Sequence, residues 1–230
     1  MNVCIIPARG GSKRIPRKNI KYFVGKPIIA YSIEAAIKSK CFDKIIVSTD
    51  DEEIASVAKN YGASVPFIRP DNLSDDYSKD TDVIKHAIKF IEENHSIKYV
   101  CLLYPTAPFV SDQIIIKSLR QLKDSKSSFC FTVCNFAYPI QRALRLTADS
   151  RVEMINSEFR NYRSQDMEEA YHDAGQLYWG KVNAFKEDQM RFSKVSSPFF
   201  IPKYLAHDID TMEDWINAEA MYKALKKTKF

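Results

Sequence analysis

Short apolar runs alternate with amphipathic stretches of helical period through the first 135 residues of the chain. Asn2 to Pro7, Lys44 to Thr49, residues 98–103 and residues 128–135 read as strands. Between them, helices are expected from Pro27 to Lys38, from Asp50 to Gly62, over residues 79–94 and over residues 111–124. Local signals support these limits: Pro27 suits a first helical turn, Ser111 suits a cap, and Asp50 followed by Glu53 resembles a capping box. Such a βαβ series predicts an α/β fold with a doubly wound, mostly parallel Rossmann-like sheet. Tyr99-Val-Cys-Leu-Leu103 is apolar on both of its faces, as a strand covered by helices on both sides must be.

The pattern changes after residue 135. Residues 136–172 have few long apolar runs and include Phe136-Ala-Tyr-Pro-Ile-Gln-Arg142, which predicts short strands and loops outside the main sheet. A small inserted dimerisation arm is expected there, and with it a homodimer. The sheet pattern resumes at His172 to Gly180 and at Phe199 to Leu205, and a last helix is expected from Trp215 to Lys226. No internal repeat or low-complexity linker divides the chain, so residues 1–230 are expected to form one domain.

Composition narrows the class. An apolar content of 45% supports a packed core and argues against disorder. The net charge of +5 gathers in a loop after the first strand and in the Lys223 to Lys229 tail, so small anions account for it as well as nucleic acid does. Five cysteines, several inside expected strands, read as free buried thiols, and Cys130-x-x-x-Cys134 lacks the second pair that a zinc site needs. No apolar run reaches the roughly 20 residues that span a bilayer, and the N-terminus opens on a strand with no signal-peptide order of regions. The expectation is a cytoplasmic protein.

Ligands of such sheets bind beyond the carboxyl ends of the strands, which brings the loops after residues 8, 49, 68 and 103 around one crevice. The first of these, Ala8-Arg-Gly-Gly-Ser-Lys-Arg-Ile-Pro-Arg-Lys-Asn19, couples Gly10 and Gly11 to the cations Arg9, Lys13, Arg14, Arg17 and Lys18. Glycines free to adopt unusual backbone angles let successive N–H groups converge on an anion, so the loop reads as a polyphosphate cradle. It is neither a Walker A loop nor the Gly-x-Gly-x-x-Gly of dinucleotide folds, and charge alone favours a solvated basic loop, with a nucleic-acid patch or a targeting signal as alternatives; the glycine pair abutting the strand and the distal acidic motif reverse that preference. Pro105 and Pro108 stiffen another wall of the crevice.

A second signal lies far along the chain, in Asp208-Ile-Asp-Thr-Met-Glu-Asp214. Carboxylates two residues apart on an extended segment point to one side, so Asp208 and Asp210 can share a divalent cation. Asp210, with Glu213 three residues on, also fits a helix N-cap; a cap does not account for Asp208.

The basic loop with Lys18-Asn19, the Arg69-Pro-Asp-Asn-Leu73 segment, Tyr104-Pro-Thr-Ala-Pro108 and the distal Asp-x-Asp together resemble the CMP-sialic acid synthetases, cytidylyltransferases that activate nine-carbon 2-keto sugar acids. The resemblance covers nearly the whole chain. It implies attack of the C2 hydroxyl of the sugar acid on the α-phosphorus of CTP, giving a CMP-sugar and pyrophosphate. It implies CTP contacts from Ala8, Arg9, Gly10, Gly11, Ser12, Lys18, Asn19, Arg69 and Ser78. Lys18, Asp208 and Asp210 become the catalytic set, with Mg²⁺ on Asp208 and Asp210 and two ions during turnover. Sugar contacts fall to Tyr104, Pro105, Thr106, Arg163, Gln165, Gln176 and Tyr178, with Arg163 as the fork for the sugar carboxylate. Synthetases for N-acetylneuraminate tend to carry Gln before Pro-Thr-Ser-Pro and an Asn-Gly-Ala-Ile-Tyr stretch; this chain has Tyr104 and Asp173-Ala-Gly-Gln-Leu-Tyr178. Phe136 to Pro139, Arg163 to Asp166 and Tyr171 to Gly180 look like the bacterial branch that activates pseudaminic acid, a di-N-acylated sugar acid lacking the 9-hydroxyl, which implies a place in flagellin glycosylation or surface polysaccharide synthesis.

Two other classes define the contrast. A nucleic-acid module needs aromatics interleaved with the cations or a recognition helix, and neither lies near the loop. A glycosyltransferase also joins a βαβ nucleotide half to an Asp-x-Asp pair, but usually places that pair mid-chain.

Overall fold

A computed structural model describes residues 1–228. In chain order it contains β1 (Asn2–Pro7), a hairpin of β2 (Tyr22–Phe23) and β3 (Lys26–Pro27), α1 (Ile28–Ser39), β4 (Lys44–Ser48), α2 (Glu52–Asn60), α3 (Asp80–Glu92), β5 (Tyr99–Leu103), α4 (Asp112–Asp124) and β6 (Phe129–Asn135). The remainder comprises β7 (Leu144–Leu146), β8 (Val152–Met154), β9 (Tyr171–Lys181), α5 (Val182–Lys186), β10 (Ser196–Phe200) and α6 (Met212–Thr228). The expected βαβ series is therefore present, with the first four main strands and helices within a few residues of their predicted limits.

Six strands form one sheet in the order β10-β6-β9-β5-β1-β4. β4, β1 and β5 pair in parallel, as do β6 and β10, while β9 runs against both β5 and β6. The reversal has a simple cause. Residues 136–170 leave the sheet at the carboxyl end of β6 and return at the same edge, where Tyr171 pairs with Asn135, so β9 must run backwards. Off the sheet, β7 and β8 form a small antiparallel hairpin.

Both faces of the sheet are dry. Cys4, Ile6, Cys101 and Leu103 pack with α1, α2 and α4 on one side. Their alternates Val3, Ile5, Val100 and Leu102 pack with α3 and α5 on the other. Strand periodicity thus serves two cores instead of one core and solvent. A third cluster joins the β2–β3 hairpin to α6, where Phe23 meets Trp215, Tyr31 and Tyr222 edge-on at 5.5–5.6 Å. That cluster also buries Ile209, and so anchors the Asp208–Asp210 segment beside the basic loop.

One local reading is corrected. Asp51, not Asp50, caps α2: its carboxylate accepts from the Ile54 amide at 2.9 Å. Asp50 is thereby left free to face the basic loop.

Candidate active site

The basic loop is built on the end of β1. Ala8 continues the ladder by donating its N–H to the Ser48 carbonyl at 2.9 Å and is buried in the core, while Pro7 reaches the cleft. The Gly10 N–H donates to Asp50 Oδ1 at 3.0 Å, and Asn19 Nδ2 donates to the Arg9 carbonyl at 2.9 Å. These bonds fix the loop from both sides. The glycine pair works differently from the expected cradle. Neither Gly10 nor Gly11 has positive φ, and the Gly10 N–H is taken by Asp50. Glycine is required at 10 because a Cβ would lie 2.7 Å from Asp51 Oδ2; at 11 a Cβ would meet nothing within 4 Å.

The five cations divide by partner. Arg17, in the left-handed region at φ 56°, turns away to Asp51 and Glu53 at the start of α2, where those carboxylates hold its guanidinium charged beyond its usual range. Arg9, Arg14 and Lys18 line the cleft. Arg9 donates to the Asp75 carbonyl at 2.8 Å and pairs with Asp76 at 2.7 Å, and Lys13 also pairs with Asp76. Arg14 pairs with Asp210 at 2.9 Å. Lys18 Nζ donates to the Ile209 carbonyl at 2.7 Å and to Asp210 Oδ1 at 3.1 Å. Each of these cations is thus matched by an acidic or carbonyl oxygen, and those of Arg9, Arg14 and Lys18 face the cleft.

The cleft holds about 300 Å³, with Ser12, Asn19, Arg69, Ser78, Tyr104, Pro105 and Thr106 on its walls. Arg69 is only 3% exposed, donates to Ser74 Oγ at 3.2 Å and has Asp50 no nearer than 3.5 Å. Burial weakens its hold on the proton, with Asp50 opposing. A cation so poorly matched invites a second anion. Ser78 donates to Asp75 Oδ1 at 2.6 Å, in a turn that carries Asp76 over the basic loop.

At the other wall, the helix-cap reading of Asp210 gives way. Asp214 Oδ2 accepts from the Thr211 amide at 2.8 Å and the Asp210 amide at 3.1 Å, while Thr211 Oγ1 accepts from the Asp214 amide at 3.2 Å. This Thr211/Asp214 box caps α6 and frees the Asp210 carboxylate for Lys18 and Arg14. Loss of solvation, then repulsion by Asp210, Asp173 and Asp214, pushes Asp208 above the usual carboxylate range, with Lys18 pulling the other way. Two crowded carboxylates are a donor set suited to a hard divalent cation that takes its remaining oxygens from phosphate and water. Among the described residues no group of three or more His, Cys, Asp or Glu is arranged to hold a metal.

The residues expected to bind sugar separate into three groups. Tyr104, Pro105 and Thr106 line the cleft. Gln176 and Tyr178 do not: β9 is covered on both faces, so Gln176 is fully buried with Nε2 donating to the Leu205 carbonyl at 2.7 Å, and Tyr178 backs Tyr104 at 5.6 Å between ring centres. Arg163 and Gln165 sit on the excursion between β8 and β9, outside the cleft lining. Sequence reasoning missed Asp75, Asp76 and Asp80, which complete the wall. The Asp75-Asp76 pair beside Ser74 offered a weak acidic signal, and Asp80 offered only helix-start character.

Comparison with known proteins completes the description. Residues 3–230 match the cytidylyltransferase family. The chain is 47% identical to the pseudaminic acid cytidylyltransferase of Campylobacter jejuni strain 81-176, covering 100% of this chain and 99% of that protein. It is 33% identical to the CMP-N,N'-diacetyllegionaminic acid synthase of Legionella pneumophila over 95% of each chain. A solved CMP:2-keto-3-deoxy-manno-octonic acid synthetase, complexed with CTP, shares the fold at TM-score 0.70 and 17% identity, over 97% of this chain and 98% of that one. With the family matched from the first strand to the last helix, and a mainly parallel α/β sheet carrying the basic loop and Asp210 to one cleft, this chain belongs to the cytidylyltransferases.

Proposed function

We propose that the chain activates pseudaminic acid: the C2 hydroxyl of the sugar acid attacks the α-phosphorus of CTP in line, and pyrophosphate departs. The observation that carries this reading is the meeting of Lys18 with Asp210, 192 residues apart, at the mouth of a cation-lined cleft. The substrate is supported by the full-length likeness to the Campylobacter enzyme.

Arg9, Ser12, Lys18, Asn19 and Arg69 hold the triphosphate, with Ser78 at the nucleotide side. On binding, phosphate oxygens replace Asp76 at Arg9 and Lys13, and Lys18 follows the charge that develops between the α- and β-phosphates. Asp208 and Asp210 hold Mg²⁺, which supplies charge neutralisation at the phosphates when bound. The sugar lies against Tyr104, Pro105 and Thr106. Arg163 and Gln165 reach a sugar through a second copy of the chain, since they stand on the arm at residues 136–172. That arm exposes Leu144, Leu146 and Val152 on a two-stranded hairpin too small to be stable uncovered, and Tyr138 ahead of it, which favours a homodimer. Among the described residues no helix is long and apolar enough to cross a membrane, in keeping with an enzyme that draws on cytoplasmic CTP.

The test is pyrophosphate release with CTP and Mg²⁺ across pseudaminic acid, N-acetylneuraminate, legionaminate and 3-deoxy-octulosonate. Pseudaminic acid is expected to lead in kcat/KM. A panel led by another acid refutes the substrate assignment.

A further inference from the structure

Arg191 stands in the connection between α5 and β10, outside every sequence motif described above. Its Nη2 donates to both Asp80 oxygens at 2.7 Å, and its guanidinium lies 5.0 Å over the Tyr178 ring. The side chain is 13% exposed, and its Nη1 is buried with no hydrogen-bond partner. Asp80 opens α3 and forms part of the cleft wall, as Tyr104 does. The Tyr104 hydroxyl donates to Asp80 Oδ2 at 3.3 Å. Tyr178 in turn donates its hydroxyl to Asp173, so both phenols of this wall are tied to carboxylates.

A carboxylate only accepts, and a phenol has one proton. With that proton given to Asp80, the lone pairs of Tyr104 are all that the phenol can offer a ligand. Burial, and then the Asp80 charge, push the Tyr104 phenol above its ordinary range, which keeps the proton on oxygen.

We infer that Arg191 is a positioning residue for the sugar acid: by holding Asp80 it fixes Tyr104 as a hydrogen-bond acceptor on the sugar side of the cleft, matched to an N–H or O–H donor of the sugar acid. A fixed acceptor takes the hydrogen of an N–H or a hydroxyl and rejects a group that can only accept, so it selects sugar acids that present a donor at this point. This inference rests on the proposed sugar-acid activation.

The experiment compares wild type, Arg191→Met, Arg191→Lys, Tyr104→Phe and the Arg191→Met/Tyr104→Phe double variant by pyrophosphate release. Pseudaminic acid is the sugar-acid substrate. Losing one hydrogen bond is expected to raise the pseudaminic acid KM about tenfold in Arg191→Met and Tyr104→Phe alike. The CTP KM should stay within about twofold of wild type. Because Arg191 acts through Tyr104, the double variant should be no worse than Tyr104→Phe by more than about twofold. Arg191→Lys keeps the charge, loses the planar guanidinium over Tyr178 and should fall between; it replaces the Met variant if that one fails to fold. An unchanged sugar KM in both Arg191 variants, additive losses in the double variant, or an equal rise in CTP KM overturns the inference while leaving the activity in place. Wild-type protein that releases pyrophosphate with no sugar acid overturns the proposed function and the inference together.

Discussion

Replacing Gly10 and Gly11 separately by alanine tests how the basic loop is held. At Gly10 the new methyl would lie 2.7 Å from Asp51 Oδ2 and 3.0 Å from Asp51 Cβ. Turning the carboxylate does not relieve the second contact, so the start of α2 must move. Asp51 Oδ1 caps α2 through the Ile54 amide, and Asp51 also receives both amino groups of Arg17. Overpacking of this kind costs about 1–3 kcal/mol and a weakened cap about 1 kcal/mol, so about 3 kcal/mol is expected in total. For a chain of 230 residues that lowers Tm by roughly 6–12 °C. Gly11 has open space and no positive φ, so its replacement should leave Tm unchanged or raise it by a degree or two, since alanine restricts the unfolded chain. Thermal melts of the ligand-free proteins, followed by CTP KM, read both effects. Equal melting of the two variants refutes the close-approach explanation. A rise in CTP KM confined to Gly11→Ala, with normal melting, would instead restore a backbone cradle for phosphate at that residue.

Asp208→Asn and Lys18→Ala should each lower kcat about 100-fold or more with CTP binding retained by calorimetry, because their interactions strengthen in the transition state; unchanged turnover removes that residue from the mechanism. Asp208 also carries a pH signature. Its raised pKa penalises the charged form in the folded state, so Asp208→Asn should melt higher than wild type at pH 7 without metal, and the gap should close as pH falls through the carboxylate range. A gap that widens in acid contradicts the burial and repulsion described. Asp76→Asn removes the anion shared by Arg9 and Lys13 and should lower CTP KM by roughly two- to fivefold, a gain that shrinks in high salt; a higher KM would make Asp76 a ligand contact. Leu144→Glu with Leu146→Glu should leave melting nearly unchanged and halve the mass seen by light scattering if the arm joins two copies; a wild-type monomer refutes the dimer.

The main sheet was legible because each buried strand is a continuous apolar run and each helix keeps its period. The direction of β9 was not, since orientation depends on where the residue 136–170 excursion re-enters the sheet and no local pattern records that. Neighbouring residues also changed places: Asp51 caps α2 where Asp50 resembled a capping box, and Thr211 with Asp214 caps α6 where Asp210 did. One exchange leaves Asp50 for the Gly10 amide and Arg69, the other leaves Asp210 for the cleft, and sequence spacing cannot distinguish either from a cap. The basic loop was identifiable, but the reason for Gly10 was not, because Asp51 approaches it from 41 residues away. Solitary charges were the least visible. Asp76 meets Lys13 across 63 residues, and Arg191 meets Asp80 across 111, and of the four only Asp80 stands on a periodic element, at its first residue.

The paired positions Asn135 and Tyr171 give the residues between them an unusual independence. A segment that leaves and re-enters through adjacent points on one sheet edge can be lengthened, shortened or exchanged between relatives without shifting any strand's register. Chimaeras cut at this pair are therefore the natural route for moving one enzyme's arm onto another's nucleotide half, and for learning whether sugar preference travels with the arm or stays with the sheet.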